Sequence, residues 1–582
     1  RKAACTKAGR VTSICEHYSI SRMGFYNLYR KFINYGLLGV FDKAGGMIEN
    51  IKITPSAEVD IVFKKLQQPS LGVQKITASL KKVKKTTVHR VLQLWGLSNY
   101  KGPSILLDDL IAALATPEAM AVEQPEELPI NKEFMELLNN LPKDGIQICN
   151  PGALLMASFI HELAIVPSIL THLESYDNSY SLYNLILLNV NRIVCGLKTI
   201  SRLEYAKDLS IALASGLANV PGKSTVFTRF SQSRFKPLLE LRQDLVAKAK
   251  ALAMLGGKSI AFDFHMIPFY GEEPENKGIS RGPHKSGVCL PGFRPHIAWD
   301  IEENMLLALS FYKGAARATT TIKRFFEREI LEIFDVDAIE EVYMDSEYTS
   351  MDVLEYFVEK SGCDIEVTMC LKANKKIKKY IQEIEKENQW EKYSEKYEIA
   401  SKKFNLERSG KVLHLVAKRR ISDKKIRCFG STKEGLTKHE ILEEYRKRWF
   451  VENGIKDLVE NYFLDQVPGI DPEKIETNFY CVMVARFAVE RFIRTTGGFL
   501  LKDHNGYRRT LGVIRDLYFT QKNCILKADD KHLLLIFKDH MEPKHQSLLE
   551  NMWQFRSRDD SLCHIPWWGN KKLDINFQSQ LN

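Results

Sequence analysis

At 582 residues the chain is long enough for several domains, and its 45% hydrophobic content excludes a wholly disordered protein. The formal charge of +11 is unevenly placed: residues 1–100 hold 17 Lys/Arg against 5 Asp/Glu, and the other 482 residues sum to about −1. Eleven cysteines without any CxxC argue against a disulfide framework and a zinc ribbon, and for a reducing cytosol.

A basic end on a near-neutral body points to nucleic acid as partner. Residues 1–48 read as a first helix-turn-helix, with a helix over 11–17 and a turn over 18–20. Ser21 is placed to N-cap a second helix carrying Arg22, Tyr26, Tyr29, Arg30 and Lys31. Residues 49–100 repeat the theme, with a helix from about 72, a turn near 83 and a second helix over 86–95. Lys84, Lys85, Thr86, Thr87 and Arg90 lie at the start and on the polar face of that second helix, as candidate DNA contacts.

Residues 101–130 change character, with one Lys against six Asp/Glu and four prolines, as expected of a linker. Residues 131–256 read as a helical domain. The apolar run 151–170 is broken by His161, Glu162 and Pro167, so a buried helix is expected rather than a membrane span. The stretch 220–232, VPGKSTVFTRFSQ, reads as a short helix begun by Ser224 and bearing Arg229. It suits either a DNA contact or plain bundle structure.

At Lys258 the pattern turns to strands. KSIAFDFH alternates Ile260, Phe262 and Phe264 against Ala261, Asp263 and His265. Two further strands follow in FRPHIAWDI and MLLALSFYKG, then a helix over 320–334. A fourth strand, IEEVYMDSEY, ends on Asp345, and a helix over 351–360 leads to a fifth strand, CDIEVTMCLKAN. That order, β-β-β-α-β-α-β, matches the ribonuclease H-like fold, in which the first and fourth strands are neighbours. Asp263 and Asp345 would then meet. Residues 373–425 read as a strand-bearing insertion.

Residues 441–463 read as one amphipathic helix with Leu442, Trp449, Leu458 and Phe463 on its apolar side. Tyr445, Arg448 and Glu452 stand at offsets of three and four, in one row. A guanidinium fork grips phosphate bidentately, and a carboxylate is a hard ligand for Mg²⁺. The row equally suits ordinary intrahelical pairs. Residues 475–500 read as a buried helix, and 501–582 have no legible role.

With Asp263, Asp345 and Glu452 in place, the chain resembles an insertion-sequence DDE transposase of the group with a Tyr-x2-Arg-x3-Glu-x6-Lys signature. Tyr445, Arg448 and Glu452 match that spacing; Val459 stands where the signature has Lys, and Lys456 is the nearest substitute. The resemblance implies a multi-domain α+β protein with N-terminal helix-turn-helix modules, a helical domain and a ribonuclease H-like catalytic domain over 257–500. It implies two Mg²⁺ or Mn²⁺ ions on Asp263, Asp345 and Glu452, with Tyr445, Arg448 and Lys456 assisting catalysis. It further implies double-stranded DNA as partner, a homodimer or larger on DNA ends, and a cytoplasmic, nucleoid-associated location. Another ribonuclease H-like nuclease, or a DNA-binding regulator on an inactive scaffold, are the rival readings.

Overall fold

The computed structural model describes residues 128–577, apart from 174–179, 272–278, 360–364, 496–510, 521–523, 538–542 and a few isolated positions, together with parts of 61–94. The first expected helix-turn-helix, with Ser21, Arg22, Tyr26 and Arg30, lies outside the described residues, as does most of the expected linker. The chain separates into two compact units, residues 1–126 and 127–582.

In the first unit, α1 (Val73–Ser79) and α2 (Lys85–Leu94) fall close to where periodicity placed them. Ile76, Val88 and Leu92 are buried, while Lys84, Lys85 and Thr86 are exposed. Thr87 and Arg90 lie on the same helix, α2.

The second unit opens with α3 (Lys132–Asn139), capped by Asn131, and a short strand, β1 (Ile146–Ile148), which periodicity missed. Six helices follow: α4 (Pro151–Glu162), α5 (Ile165–His172), α6 (Leu182–Val194), α7 (Ile200–Ala206), α8 (Leu209–Ala214) and α9 (Lys223–Phe230). The break in the 151–170 run falls at Ala164, whose φ is +55°, and not at Pro167, which sits in the first turn of α5. Among the described residues no single helix is long and apolar enough to cross a membrane; α4 and α5 bend by 63° and line the core. Ser224 does not cap α9: Gly222 takes that position, and Ser224 lies inside the first turn. The long α10 (Phe235–Ala251) ends this region.

One surface cluster here has a measurable consequence. His172, at the end of α5, bridges two carboxylates of α10, Glu240 at 3.3 Å and Asp244 at 2.8 Å. Its hydrogen bond to Asp244, then that to Glu240, raises its pKa to about 9. A folded pKa above the unfolded one stabilises the fold fully below about pH 6.5, and that stabilisation fades as pH rises through 9. For a partly exposed pair the gain is about 1 kcal/mol or less. Thermal melts of His172→Gln should therefore fall below wild type at pH 6 and coincide with it at pH 10.

From Ser259 the chain builds one large sheet. Its strands are β2 (Ser259–Phe264), β6 (His296–Asp300), β7 (Met305–Ser310), β8 (Glu341–Met344) and β9 (Glu366–Leu371), with a small three-stranded sheet of β3 (Ile267–Pro268), β4 (Ser280–Pro283) and β5 (Cys289–Phe293) inserted between β2 and β6. The helices α11 (Ala318–Glu329) and α12 (Met351–Glu359) connect the later strands. The order across this part is β7-β6-β2-β8-β9. Strand β2 runs parallel to β8 and antiparallel to β6. Ser259 to Phe262 are all buried, so β2 is covered on both faces and its period-2 pattern is weaker than the sequence suggests.

The expected strand-bearing insertion extends the same sheet. After α13 (Lys375–Glu387), a meander of β10 (Glu391–Ser394), β11 (Tyr397–Asn405), β12 (Val412–Arg420) and β13 (Ile426–Ser431) pairs β13 onto β9, making nine strands in all. Its last strand runs past residue 425. Pairing satisfies the open edge that β9 would otherwise present.

The expected single helix over 441–463 is two, α14 (Lys438–Arg446) and α15 (Trp449–Asn461). A capping box of Thr437 and Glu440 starts α14. Between them the backbone tightens to i→i+3 bonds: Arg448 N–H donates to Tyr445 O at 3.2 Å, Phe450 N–H to Lys447 O at 3.1 Å and Val451 N–H to Arg448 O at 3.2 Å. Trp449 is 63% exposed in consequence and does not join the core as its spacing implied.

The blocks 131–256, 257–500 and 501–582 share one core. Helix α16 (Pro472–Thr495), buried over nearly its whole length, packs on α4, α6, α10 and β7. The C-terminal β14 (Cys524–Ala528), β15 (His532–Phe537), α17 (Pro543–Arg556), β16 (His564–Ile565) and β17 (Lys571–Phe577) complete a sheet of order β1-β14-β15-β17-β16. Arg556 of α17 donates to Glu162 of α4 at 2.9 Å, and the indoles of Trp567 and Trp568 donate to the Ala214 and Leu213 carbonyls. The tail is thus a structural partner of the helical region.

Candidate active site

Two neighbouring parallel strands bring the first two acids together. Phe262 pairs with Met344, so Asp263 and Asp345 are the next residues along β2 and β8. The tightened turn between α14 and α15 then aims a third group of side chains at them. Tyr445 hydroxyl donates to Asp345 Oδ1 at 3.3 Å. Arg448 Nε donates to the Tyr445 hydroxyl at 2.9 Å, its Nη1 to Asp263 Oδ2 at 3.4 Å and its Nη2 to Glu452 Oε1 at 2.5 Å. The five expected residues Asp263, Asp345, Tyr445, Arg448 and Glu452 therefore form one connected network.

Arg448 is its centre. Its side chain is 8% exposed, whereas that of Glu452 is 46% exposed and that of Asp263 19%. Burial works against the guanidinium charge, but Tyr445, Asp263, Asp345 and Glu452 outweigh it and hold the pKa above its ordinary value. Burial raises Asp263 to about 7; Arg448 opposes this, while Asp345 and Glu452 add to it. Burial also raises the Tyr445 phenol. Two carboxylates, Asp263 and Glu452, thus pair with a single buried cation, and Asp345 joins them through the Tyr445 hydroxyl.

Lys456 departs from the expectation. Its side chain is 70% exposed, and its ammonium lies 3.9 Å from Glu460 on the same helix, away from the three acids. The offset of four from Glu452 leaves it pointing along the solvent side of α15. The metal expectation is also modified: among the described residues no group of three or more His, Cys, Asp or Glu side chains is spaced to hold an ion. Arg448 bonds both Asp263 and Glu452, so these acids could take up an ion only after Arg448 releases at least one of them.

The surroundings contain groups that sequence reasoning passed over. His265 Nε2 lies 2.7 Å from Asp465 Oδ1, tying the end of β2 to the segment after α15. Arg294 pairs with Glu347 and covers the Phe264 ring at 4.6 Å. Tyr348 and His296 share a buried hydrogen bond of 2.8 Å behind it. The one sequence signal was proximity: His265 lies two residues from Asp263 on the same strand side, and Glu347 two residues from Asp345.

Residues 256–488, which carry all three acids, match the sequence model of a family described as the transposase DDE domain. The chain carries a transposase DDE domain. No curated protein matches the chain. Among solved structures, a piggyBac transposase synaptic complex with hairpin DNA is similar at 10% identity and a TM-score of 0.35, covering 63% of this chain and 79% of that one. At that score the likeness carries no weight for the fold. The DDE domain rests on the family match and on the network around Arg448.

Proposed function

We propose that the chain is a DNA transposase of an insertion sequence, cleaving element ends and joining their 3′-OH groups to target DNA. The observation that carries this reading is the network that joins Asp263 and Glu452 to Arg448, and Asp345 to Tyr445, within the matched DDE domain. The strand order β7-β6-β2-β8-β9 supports a ribonuclease H-like catalytic domain. Asp263, Asp345 and Glu452 would hold two Mg²⁺ or Mn²⁺ ions, since they are all-oxygen donors joined in one network. Such ions would activate the attacking oxygen and stabilise the departing 3′ oxygen.

The chain's own residues supply the rest. Arg448 presents its guanidinium fork to a phosphodiester, and Tyr445 holds that fork in place through Nε. Aligning Arg448 with phosphate requires it to release Asp263 or Glu452. Water attack frees a 3′-OH, and that 3′-OH attacks the target strand. The basic residues 1–100, read as two helix-turn-helix modules, bind the element ends, and joining two ends calls for a dimer or larger. The protein acts in the cytoplasm on the nucleoid.

The test is Mg²⁺-dependent nicking of a duplex carrying the sequences that flank the gene. Arg448→Ala should lower the rate about a hundredfold or more, as for loss of one pre-organised donor to a reacting oxyanion. Arg448→Lys should lower it at least about tenfold, because a flexible point charge does not reproduce the fork. If Arg448 served only as a structural partner of Asp263 and Glu452, thermal stability would fall while the cleavage rate of the folded protein stayed near wild type.

A further inference from the structure

The short helix α9 that the sequence left between two roles has a definite environment. Val226 and Phe230 are buried, and Phe227 packs partly against the core. The opposite side shows Lys223, Ser224 and Thr228 to solvent. Helix α7 is its neighbour: a side chain at Gly222 would come within 3.5 Å of Glu204. Helix α7 likewise buries Ile200 and Leu203 and exposes Arg202 and Tyr205, the latter at 83%.

The charge on these two helices is uncompensated. Lys198, Arg202, Lys207 and Lys223 are exposed, and among the described residues none of them forms an ion pair. The acids of the same stretch are occupied or set back. Asp208 caps α8 and accepts from the Asn150 amide, and Glu204 is half-buried. Four free cations interleaved with hydroxyls and an exposed tyrosine match a polyanion bearing oxygen acceptors. Hydroxyl and cationic side chains of this kind supply most protein contacts to the DNA backbone.

We propose that the α7/α9 face binds the phosphate backbone of duplex DNA, as a contact site separate from the basic N-terminal hundred residues and from the acid-lined centre. The proposal rests on the transposase reading, which supplies the DNA. It adds a second anchoring surface on the same compact unit as the DDE domain.

The test uses the full chain and a mixed-sequence duplex, with affinity measured by fluorescence anisotropy over a salt series. The Arg202→Glu/Lys223→Glu variant is compared with Lys132→Glu/Lys143→Glu, which changes net charge equally at exposed positions of the same region. All four sites are exposed, and thermal melting confirms that both variants are folded. Each lost phosphate contact flattens the log K against log salt slope by about 0.9. The α7/α9 variant should flatten it by close to twice that and weaken binding at least about tenfold at low salt. The control should do neither. Equal effects from both variants would mean that only net charge matters, and no effect from either would place the DNA elsewhere; both outcomes overturn the proposal. Failure of the wild-type chain to bind any duplex would instead remove the transposase reading itself.

Discussion

Asp263→Asn is expected to abolish DNA cleavage while leaving folding and DNA binding intact. The carboxylate sits at the end of β2, beside Asp345 and within reach of Arg448 and Glu452. Asparagine keeps its shape but removes an anionic oxygen, the kind of donor that Mg²⁺ requires. The rate should drop at least about a thousandfold, roughly 4 kcal/mol in barrier height. Stability should hold, because burial already raises this carboxyl to about 7 and two like charges add to the rise. A neutral side chain relieves that repulsion, offsetting the weakened contact with Arg448. Single-turnover nicking on pre-bound DNA in Mg²⁺, with melting curves and binding isotherms alongside, separates the effects. Cleavage at the wild-type rate would remove Asp263 from the reaction; a collapsed melting transition would make its role structural.

The parts of the site that sequence exposed were those governed by local pattern. Alternation around Asp263 and the strand ending on Asp345 marked β2 and β8, and parallel pairing then made the two acids neighbours. Spacing placed Tyr445, Arg448 and Glu452 in one row, and the structure keeps them connected. What spacing hid was the tightened turn at Arg448, since a few i→i+3 bonds barely disturb an apolar period yet turn Trp449 to solvent. The carboxylate partners of Arg294 and His265 were also hidden, because strand and helix periods say nothing about contacts across 53 and 200 residues. The same reason concealed the pairing of β1 with β14: a three-residue strand has too little pattern to read, and its partner lies near the other end of the chain.

Breaking the buried ionic cluster around Arg242 should be among the most destabilising single changes in the molecule. Arg242 of α10 is 3% exposed and joins three elements. Its Nη1 donates to Glu476 of α16 at 2.6 Å, and its Nη2 to Glu329 of α11 at 3.1 Å and to Ser310 of β7 at 3.2 Å. Arg328, 31% exposed, donates to Glu329 at 2.7 Å from the rim, so two cations face two buried acids. The cluster fastens the helical region to the catalytic sheet. Arg242→Met fills similar volume but leaves two buried carboxylates to one cation, which costs about 3–5 kcal/mol. The acids are not equivalent. Burial raises Glu476 above its ordinary pKa, while Arg242 and Arg328 outweigh burial at Glu329 and hold it below. Neutralising Glu476 is therefore the cheaper change, and Glu476→Gln should destabilise less than Glu329→Gln. Combining Arg242→Met with both glutamine substitutions should recover most of the loss, since no unpaired charge then stays buried. Urea unfolding of the four variants decides the point. If the combined variant is no more stable than Arg242→Met alone, the loss comes from packing around the guanidinium stem, and the charge account of this junction is wrong.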